Sequence, residues 1–313
     1  MDAKQIASDG SVVALTGATG YVGRPLARRL AAAGLRVRAL ARDPGKAASV
    51  LPPSCELVRG DLRDPDAARR LVETGCDVVN LAYLWDAAPQ ENLQALRCVL
   101  AACEARGARR LVHLSSVAVY GRSPGDRVDE RSLRRPVVPY GKTKLALERL
   151  LAEECRTAYA IVQPATVFGE AGPPLDKLLA ELRRPLRIGG YLMSSLSAKR
   201  RMNLVHVDNV VEAIVFLLEV EPLPRGESFI VSDDDDPANN FHDVEAQLMA
   251  NLNVPDYSVP RVPVPEALLR ALLCLRGHNN VNPRRVFDGS RLAALGYRRR
   301  VTLAQGLAAL TVR

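Results

Sequence analysis

Val12-Val13-Ala14-Leu15-Thr16-Gly17-Ala18-Thr19-Gly20-Tyr21-Val22-Gly23 opens as an apolar run and breaks into three glycines spaced three apart. Val12–Leu15 reads as a short buried strand. Tyr21–Ala33 follows with helical spacing and stops at Gly34. A strand, a glycine turn and a helix in immediate succession form a G-x-x-G-x-x-G variant of the dinucleotide fingerprint. Glycine serves a tight turn, close backbone approach to a pyrophosphate and close helix–strand packing. The helix start then offers N–H groups and the positive end of its dipole to phosphate.

The same alternation continues outward. Val37–Ala41, Glu56–Val58, Asp77–Leu81, Arg110–Leu114 and Ala160–Val162 read as strands. Asp66–Glu73, Glu91–Arg106 and Tyr140–Cys155 read as the helices between them. Strands alternating with helices predict an α/β fold, a Rossmann-type doubly wound parallel sheet. After about residue 170 the texture changes, with prolines such as Pro173, Pro174, Pro222, Pro224, Pro255, Pro260 and Pro265. Short helices are expected at Asp208–Leu218, His242–Asn251, Pro265–Leu275 and Leu303–Leu310, and a strand at Ser228–Val231. The expected division is a binding domain over 1–170 and a smaller C-terminal substrate lobe over 171–313, with some chain crossing between them. Asp233–Asp236 is read as a solvated turn, not a metal site.

Composition narrows the function. The 313 residues are 48% apolar and 25% charged, which excludes a disordered or collagen-like chain. No apolar run reaches the ~18 residues needed to span a bilayer. Met1–Ile6 lacks the basic start and apolar stretch of a signal peptide, so a cytoplasmic location is expected. The net charge is +8, carried by 37 Arg and 6 Lys spread along the chain. That balance favours anionic small ligands. Aromatics are only 4% and no basic stripe is clustered, which argues against nucleic acid. Cys55, Cys76, Cys98, Cys103, Cys155 and Cys274 show no ligand spacing and read as buried thiols.

The end of the second strand bears on cofactor choice. An acidic residue there would bind the ribose hydroxyl of NAD, and an Arg would accept the 2′-phosphate of NADP. The chain reads Ala41-Arg42-Asp43-Pro44, with Asp43 shaping the turn. Arg42 indicates NADP, with NAD the alternative. Further on, Ser115-Ser116-Val117-Ala118 follows a strand, and Tyr140-Gly141-Lys142-Thr143-Lys144 opens a helix. Tyr140 and Lys144 are four apart and share one face. An ammonium beside a phenol lowers the phenol's pKa from ~10 by stabilising the phenolate. Such a Tyr can exchange a proton with an alcohol or carbonyl oxygen near neutral pH, and a nearby Ser hydroxyl can bond the same oxygen.

These motifs resemble the extended branch of the short-chain dehydrogenase/reductase superfamily, the nucleotide-sugar epimerase/dehydratase type. The resemblance covers nearly the whole chain. It implies cofactor contacts from Gly17, Thr19, Gly20, Tyr21, Val22, Gly23, Arg42, Asp61, Leu62, Leu81, Ala82, Tyr83, Tyr140, Lys144, Pro164, Thr166 and Val167. It implies catalysis by Ser116, Tyr140 and Lys144, and substrate contacts from Tyr83, Trp85, Ser116, Val117, Thr166 and Arg201. Val205-His206-Val207-Asp208-Asn209-Val210 resembles a substrate-lobe motif, and Leu295-Gly296-Tyr297 the family's C-terminal end. It also implies a homodimer through the helices Glu91–Arg106 and Tyr140–Cys155, whose apolar spacing could equally serve the sheet.

The chain departs from that pattern in places. Gln163 stands where an Arg is common, and Met202 stands where a diphosphate-binding Arg is common, with Arg200 and Arg201 adjoining. Val117 and Ala118 occupy the places of the Asp-Glu pair of dehydratases, and Val117 that of the Cys of 3,5-epimerases. Neither side chain can move protons. Trp85 either lines the substrate pocket or packs in the core, and His113 reads as a satisfied core histidine. No metal is expected. The expected activity is NADP-dependent reduction of a keto group on a sugar-like substrate, a nucleotide-linked 4-keto sugar. A nucleotide-sugar 4-epimerase and a reductase of a non-sugar ketone are the alternatives.

Overall fold

A computed structural model describes residues 11–310 except 171, 185, 186, 198 and 263; Met1–Ile6 lies outside the described residues. The elements run β1 Val12–Thr16, α1 Gly23–Ala32, β2 Arg36–Ala41, α2 Pro44–Ala48, β3 Glu56–Arg59, α3 Pro65–Leu71, β4 Asp77–Asn80, α4 Pro89–Ala105 and β5 Arg110–Leu114. There follow β6 Arg127–Val128, α5 Pro139–Glu154, β7 Tyr159–Pro164, β8 Thr166–Phe168, α6 Pro173–Leu182, α7 Ile188–Ser197, β9 Leu204–His206, α8 Val207–Glu219 and β10 Glu227–Val231. The chain ends with α9 Phe241–Asn251, α10 Glu266–Leu275, β11 Val286–Phe287, α11 Ser290–Ala294 and α12 Leu303–Ala309.

Contacts divide the chain into two compact units. One comprises residues 1–115, 143–163 and 211–229; the other comprises 116–142, 164–210 and 230–313. The chain therefore passes between the units five times, where the sequence suggests one main boundary near 170. The reason is the sheet. Strands β7 and β10 extend the sheet that the first 115 residues begin, and residues 143–163 and 211–229 fall in the first unit with it.

That unit is built on a seven-stranded sheet in the order β10-β7-β5-β4-β1-β2-β3. The pairs β1–β2, β2–β3, β1–β4, β4–β5 and β5–β7 are all parallel. Its inner strands β4 and β7 are buried along their whole length, as strands covered on both faces must be. After β3 the chain returns to the other side of β1, so β1 and β4 flank the topological switch point where such sheets open a crevice.

Helices cover the sheet with apolar faces. Leu26, Ala27 and Leu30 of α1 are buried. In α4 and α5, Leu96, Val99, Leu100, Cys103, Leu147, Leu150 and Leu151 are buried in the protomer's own core. Their periodicity is accounted for by that core, so the expected homodimer rests on the resemblance alone. At the end of the sheet Arg110 is buried and donates to the carbonyls of Leu217 and Val220 at 3.0 Å. It satisfies the last turn of α8, whose carbonyls have no partner within the helix.

The second unit has two small parallel pairs, β8–β9 and β6–β11. Phe168, Leu175, Leu204, Leu248, Leu303 and Leu307 share its apolar core. Asp233 and Asp234 correct the expectation of a solvated turn: both are buried. Asp233 accepts from the His206 amide at 3.1 Å and the Asn209 side chain at 3.1 Å. Asp234 accepts from Asn203 at 2.7 Å, Asn239 at 3.0 Å and the Phe287 amide at 2.8 Å. Burial raises each to about 6, and the donors oppose it. The two carboxylates tie together β9, α8 and β11, which no local pattern reveals.

Five of the six cysteines are buried as expected, and Cys274 is exposed. Trp85 is 73% exposed, which removes the core alternative for it.

The glycine loop supplies a stability test. A Cβ on Gly23 would lie 2.1 Å from the Gly17 carbonyl oxygen, whereas one on Gly45 meets nothing closer than 3.4 Å. Gly23→Ala is expected to lose ~1–3 kcal/mol, the scale of an overpacked site. Gly45→Ala should be neutral or slightly stabilising. Urea unfolding of both variants checks this, and equal midpoints would contradict the close approach.

Candidate active site

The turn after β1 is fixed by backbone alone. Gly17 has φ +70°, and the Gly20 amide donates to the Gly17 carbonyl at 3.0 Å. A Cβ on Gly17 would sit 2.8 Å from the Ala82 amide nitrogen, so only glycine lets this turn approach the end of β4. Thr16 donates its hydroxyl to Asn80 at 2.5 Å, locking the two strand ends together. No side chain caps the first turn of α1, and no acidic residue stands in it. A glycine cradle ahead of an uncapped helix start suits a pyrophosphate.

The neighbouring strand ends carry the other residues assigned to a cofactor. Arg42 is exposed just beyond β2, with no ion pair or side-chain hydrogen bond among the described residues. Asp43 caps α2, accepting from the Lys46 amide at 3.1 Å, as expected of a turn residue. Asp61 accepts from Arg63, whose side chain is the main cause holding it down at about 2. Leu62 and Leu81 are buried, and Tyr83 stacks edge-on against Trp85 at 4.8 Å.

Lys144 lies on α5 in the first unit, only 2% exposed. Its ammonium donates to the Leu114 carbonyl at 2.7 Å and lies 5.1 Å from the centre of the Tyr83 ring. One turn on, Glu148 is buried, accepting from the Ser115 hydroxyl and from Gln163 at 2.8 Å. Burial lowers Lys144 to about 8, and the Glu148 charge acts in the opposite sense. Gln163, an apparent departure in sequence, thus has a local task. Glu148 was not singled out, although its four-residue spacing from Lys144 places both on one face.

His113 is buried, with Nδ1 3.0 Å from Asn80. Its Nε2 has no hydrogen-bond partner, so it is a core histidine satisfied on one side only. Burial and the Lys144 charge hold it well below its ordinary value.

Ser116 and Tyr140 belong to the second unit, Tyr140 one turn before Lys144 on α5. The two adjacent serines separate by role. Ser115 is spent on Glu148, while Ser116 starts a short 3-10 turn over Val117–Val119, its Oγ accepting from the Ala118 amide at 3.2 Å. Gly141, beside Tyr140, packs so tightly that a Cβ would be 2.6 Å from the Ala118 carbonyl.

A cavity of about 450 Å³ lies within this unit. Ser116, Val117, Thr166 and Arg201, all singled out in the sequence, line it. Pro164 and Val167 flank Thr166, whose amide donates to Asn203 at 2.7 Å. Arg200, noted in the sequence only as adjoining the diphosphate position, also lines it, as do Met193, Phe241, Asn279 and Asn280, which were missed. They come from separate helices and loops and share no motif. Asn279 donates to the Ala118 carbonyl at 2.8 Å and accepts from the Val137 amide at 2.9 Å, bracing the turn after Ser116. Arg201 donates to the carbonyls of Asp234 and of Pro237, so its charge is largely committed to the lobe.

Lys144 gives a test by pH. Its amine sits at about 8 in the folded chain and at 10.5 when unperturbed. Between those values the unfolded chain holds a proton that the folded chain has lost, so stability gains with rising pH. The stability difference between wild type and Lys144→Met should therefore shift toward wild type from pH 8 to 10.5. Denaturant unfolding at several pH values measures it, and a flat difference would refute a buried, strained ammonium.

Comparison with known proteins adds the lineage. The model of the NAD dependent epimerase/dehydratase family matches residues 13–232. A 4-hydroxy-2-methyl-3-oxo-4-farnesyl-3,4-dihydroquinoline-1-oxide ketoreductase of Stigmatella aurantiaca is 30% identical, over 70% of this chain and 67% of that protein. An N-acetyl-alpha-D-glucosaminyl-diphospho-ditrans,octacis-undecaprenol 4-epimerase of Escherichia coli O157:H7 is 31% identical, over 66% and 63%. A UDP-glucose 4-epimerase of Streptomyces lividans is 30% identical over 45% and 46%. The chain thus spans about half to two thirds of the length of these relatives. Among solved structures, the Bordetella bronchiseptica enzyme WbmG in complex with NAD and UDP has a TM-score of 0.72 at 20% identity, covering 95% of this chain and 91% of that one. That likeness confirms the Rossmann-type fold. With a family match spanning the sheet and the glycine loop, the chain belongs to the NAD dependent epimerase/dehydratase family.

Proposed function

We propose that this protein reduces a ketone with a nicotinamide cofactor, NADP in preference to NAD. The observation that carries the reading is the cavity wall: Ser116 lines it, and the next two positions are Val117 and Ala118. Proton movement beyond the carbonyl itself would need a titratable group there, and neither side chain has one. Exposed, unpaired Arg42 supports NADP, since a 2′-phosphate would give it a charge-assisted partner.

When bound, the cofactor supplies the hydride. Tyr140 gives the proton to the carbonyl oxygen, Ser116 orients that oxygen, and Lys144 stabilises the phenolate that Tyr140 becomes. The glycine loop and the start of α1 would hold the pyrophosphate, and Arg42 would pair with the 2′-phosphate. Asp61 and Leu62 would wall the adenine, with Leu81, Ala82 and Tyr83 at the neighbouring strand end; the resemblance assigns Pro164, Thr166 and Val167 to the nicotinamide.

The substrate can be a sugar or not. A nucleotide-linked 4-keto sugar is supported by the sugar-active relatives and by the UDP held by WbmG. A non-sugar ketone is supported by the quinoline ketoreductase and by the apolar walls Val117, Met193, Met202 and Phe241. A 4-epimerase is the competing reaction, favoured by the E. coli relative.

Two measurements test the reading. Tyr140→Phe should fold and bind cofactor but lose ~10²-fold or more in turnover, the scale of a positioned acid. Near-normal turnover would exclude Tyr140 as the proton donor. A nicotinamide carrying labelled hydride should transfer its label to product, with one NADPH oxidised per turnover. Product accumulating without label or net NADPH oxidation would assign an epimerase instead.

A further inference from the structure

Asn279, Asn280 and Asn282 stand together just after α10. The helix stops at Gly277, which has φ +69°, and the His278 amide reaches back to the Leu273 carbonyl at 3.0 Å. The chain beyond is held by partners of its own. Asn282 donates to the Gly125 carbonyl at 2.9 Å, and Arg285, buried, donates to the Ser123 carbonyl at 2.6 Å. β11 then pairs with β6. Asn279 therefore projects from backbone that is anchored before and after it, whatever its own side chain does.

That side chain joins the two pieces of the second unit that carry Ser116 and Tyr140. Its Nδ2 donates to the Ala118 carbonyl at 2.8 Å, and its Oδ1 accepts from the Val137 amide at 2.9 Å. The partners fix which end of the carboxamide is which, since a carbonyl only accepts and a backbone N–H only donates. Ala118 also holds Ser116, its amide donating to Ser116 Oγ at 3.2 Å. Val138, next to Val137, accepts from the Lys142 amide at 3.1 Å in the first turn of α5, the turn that carries Tyr140. Gly141 of that turn packs on the same Ala118 carbonyl, which a Cβ there would approach to 2.6 Å. One carbonyl is thus met by the start of α5 and by Asn279.

A proton passes from Tyr140 to an oxygen that Ser116 also bonds only while the two side chains keep their spacing, and a slip of ~1 Å can cost ~10²-fold. We propose that Asn279 is a positioning residue, setting the turn that presents Ser116 against the helix start that presents Tyr140. This rests on the reading of Ser116 and Tyr140 as the proton-transfer pair. A carboxamide suits the task because it donates and accepts at once. Asp would keep the acceptor and lose the donor, and Leu would lose both at similar size.

Hydrogen exchange of the whole protein and steady-state kinetics test this together. Asn279→Leu should raise exchange ~10-fold in residues 116–122 and 135–138, the worth of one hydrogen bond lost from each, and leave the rest of the chain unchanged. Asn279→Asp should release 116–122 alone, because its carboxylate still accepts from Val137. With NADPH and the ketones cyclohexanone, acetophenone and benzil, Asn279→Leu should lose ~10- to 100-fold in kcat with KM and NADPH affinity little changed. Asn279→Gln should recover part of kcat. Added to Tyr140→Phe, Asn279→Leu should cost little more, because the pair it aligns is already broken. If Asn279→Leu does not fold, Asn279→Ser, too short to span both partners, takes its place. Unchanged exchange in both segments, a rise spread along the chain, a loss confined to KM, or additive losses with Tyr140→Phe would overturn the proposal. Release confined to the two segments, in a protein whose wild type reduces none of the ketones, would uphold the brace and count against the reductase reading.

Discussion

Two pieces of backbone occupy nearly the same place at the centre of the first unit. The turn at Gly17 meets the end of β4 at Ala82, and the start of α1 at Gly23 meets the Gly17 carbonyl. A side chain at either position would separate β1 from β4 or lift α1 from the turn. The adjacency of those strands defines the switch point of the sheet, and so the place where a dinucleotide can lie. The strand ends that follow β2 and β3, with Arg42 and Asp61, are placed by the same sheet.

Around that frame, charges taken out of water are paired with fixed dipoles. Lys144 has the Leu114 carbonyl and the nearby Glu148, which is itself held by Ser115 and Gln163. Arg110 has the carbonyls that end α8. Asp233 and Asp234 collect amides and asparagine side chains from β9, α8 and β11. Each arrangement repays part of a desolvation cost that an isolated ion could not bear. Surface pairs such as Arg97–Glu154 matter far less, at ~0–1 kcal/mol each.

Lys144 also shows how structure and chemistry share one residue. Its low exposure and its position one turn after Tyr140 come from the same helix. An ammonium that burial has brought near neutrality still carries its proton at pH 7, and a neighbouring phenolate would hold it there more firmly. Glu148, four residues on, acts in the same direction through charge alone. The family match gives this stretch a chemical setting, and the packing explains why it is stable before any substrate arrives.

The sequence by itself determined what depends on near neighbours. Strand, glycine turn and helix at Val12–Ala33 were legible because the 2.0 and 3.6 periods and the glycine spacing are local properties. So were the Tyr140–Lys144 spacing and the turn at Asp43, though not the short helix that Asp43 caps. Tertiary structure decided what depends on residues far apart in the chain. Asp233 and Asp234 read as a solvated run until partners at 203, 206, 209 and 287 enclosed them. Arg200 and Arg201 are equivalent by position, and only contacts with Asp234 and Pro237 show which charge is spent. Some crossing between the two units was expected, but where the chain crosses was hidden for the same reason. A periodic pattern tells a helix which face to bury, but not which distant strand or loop will cover it.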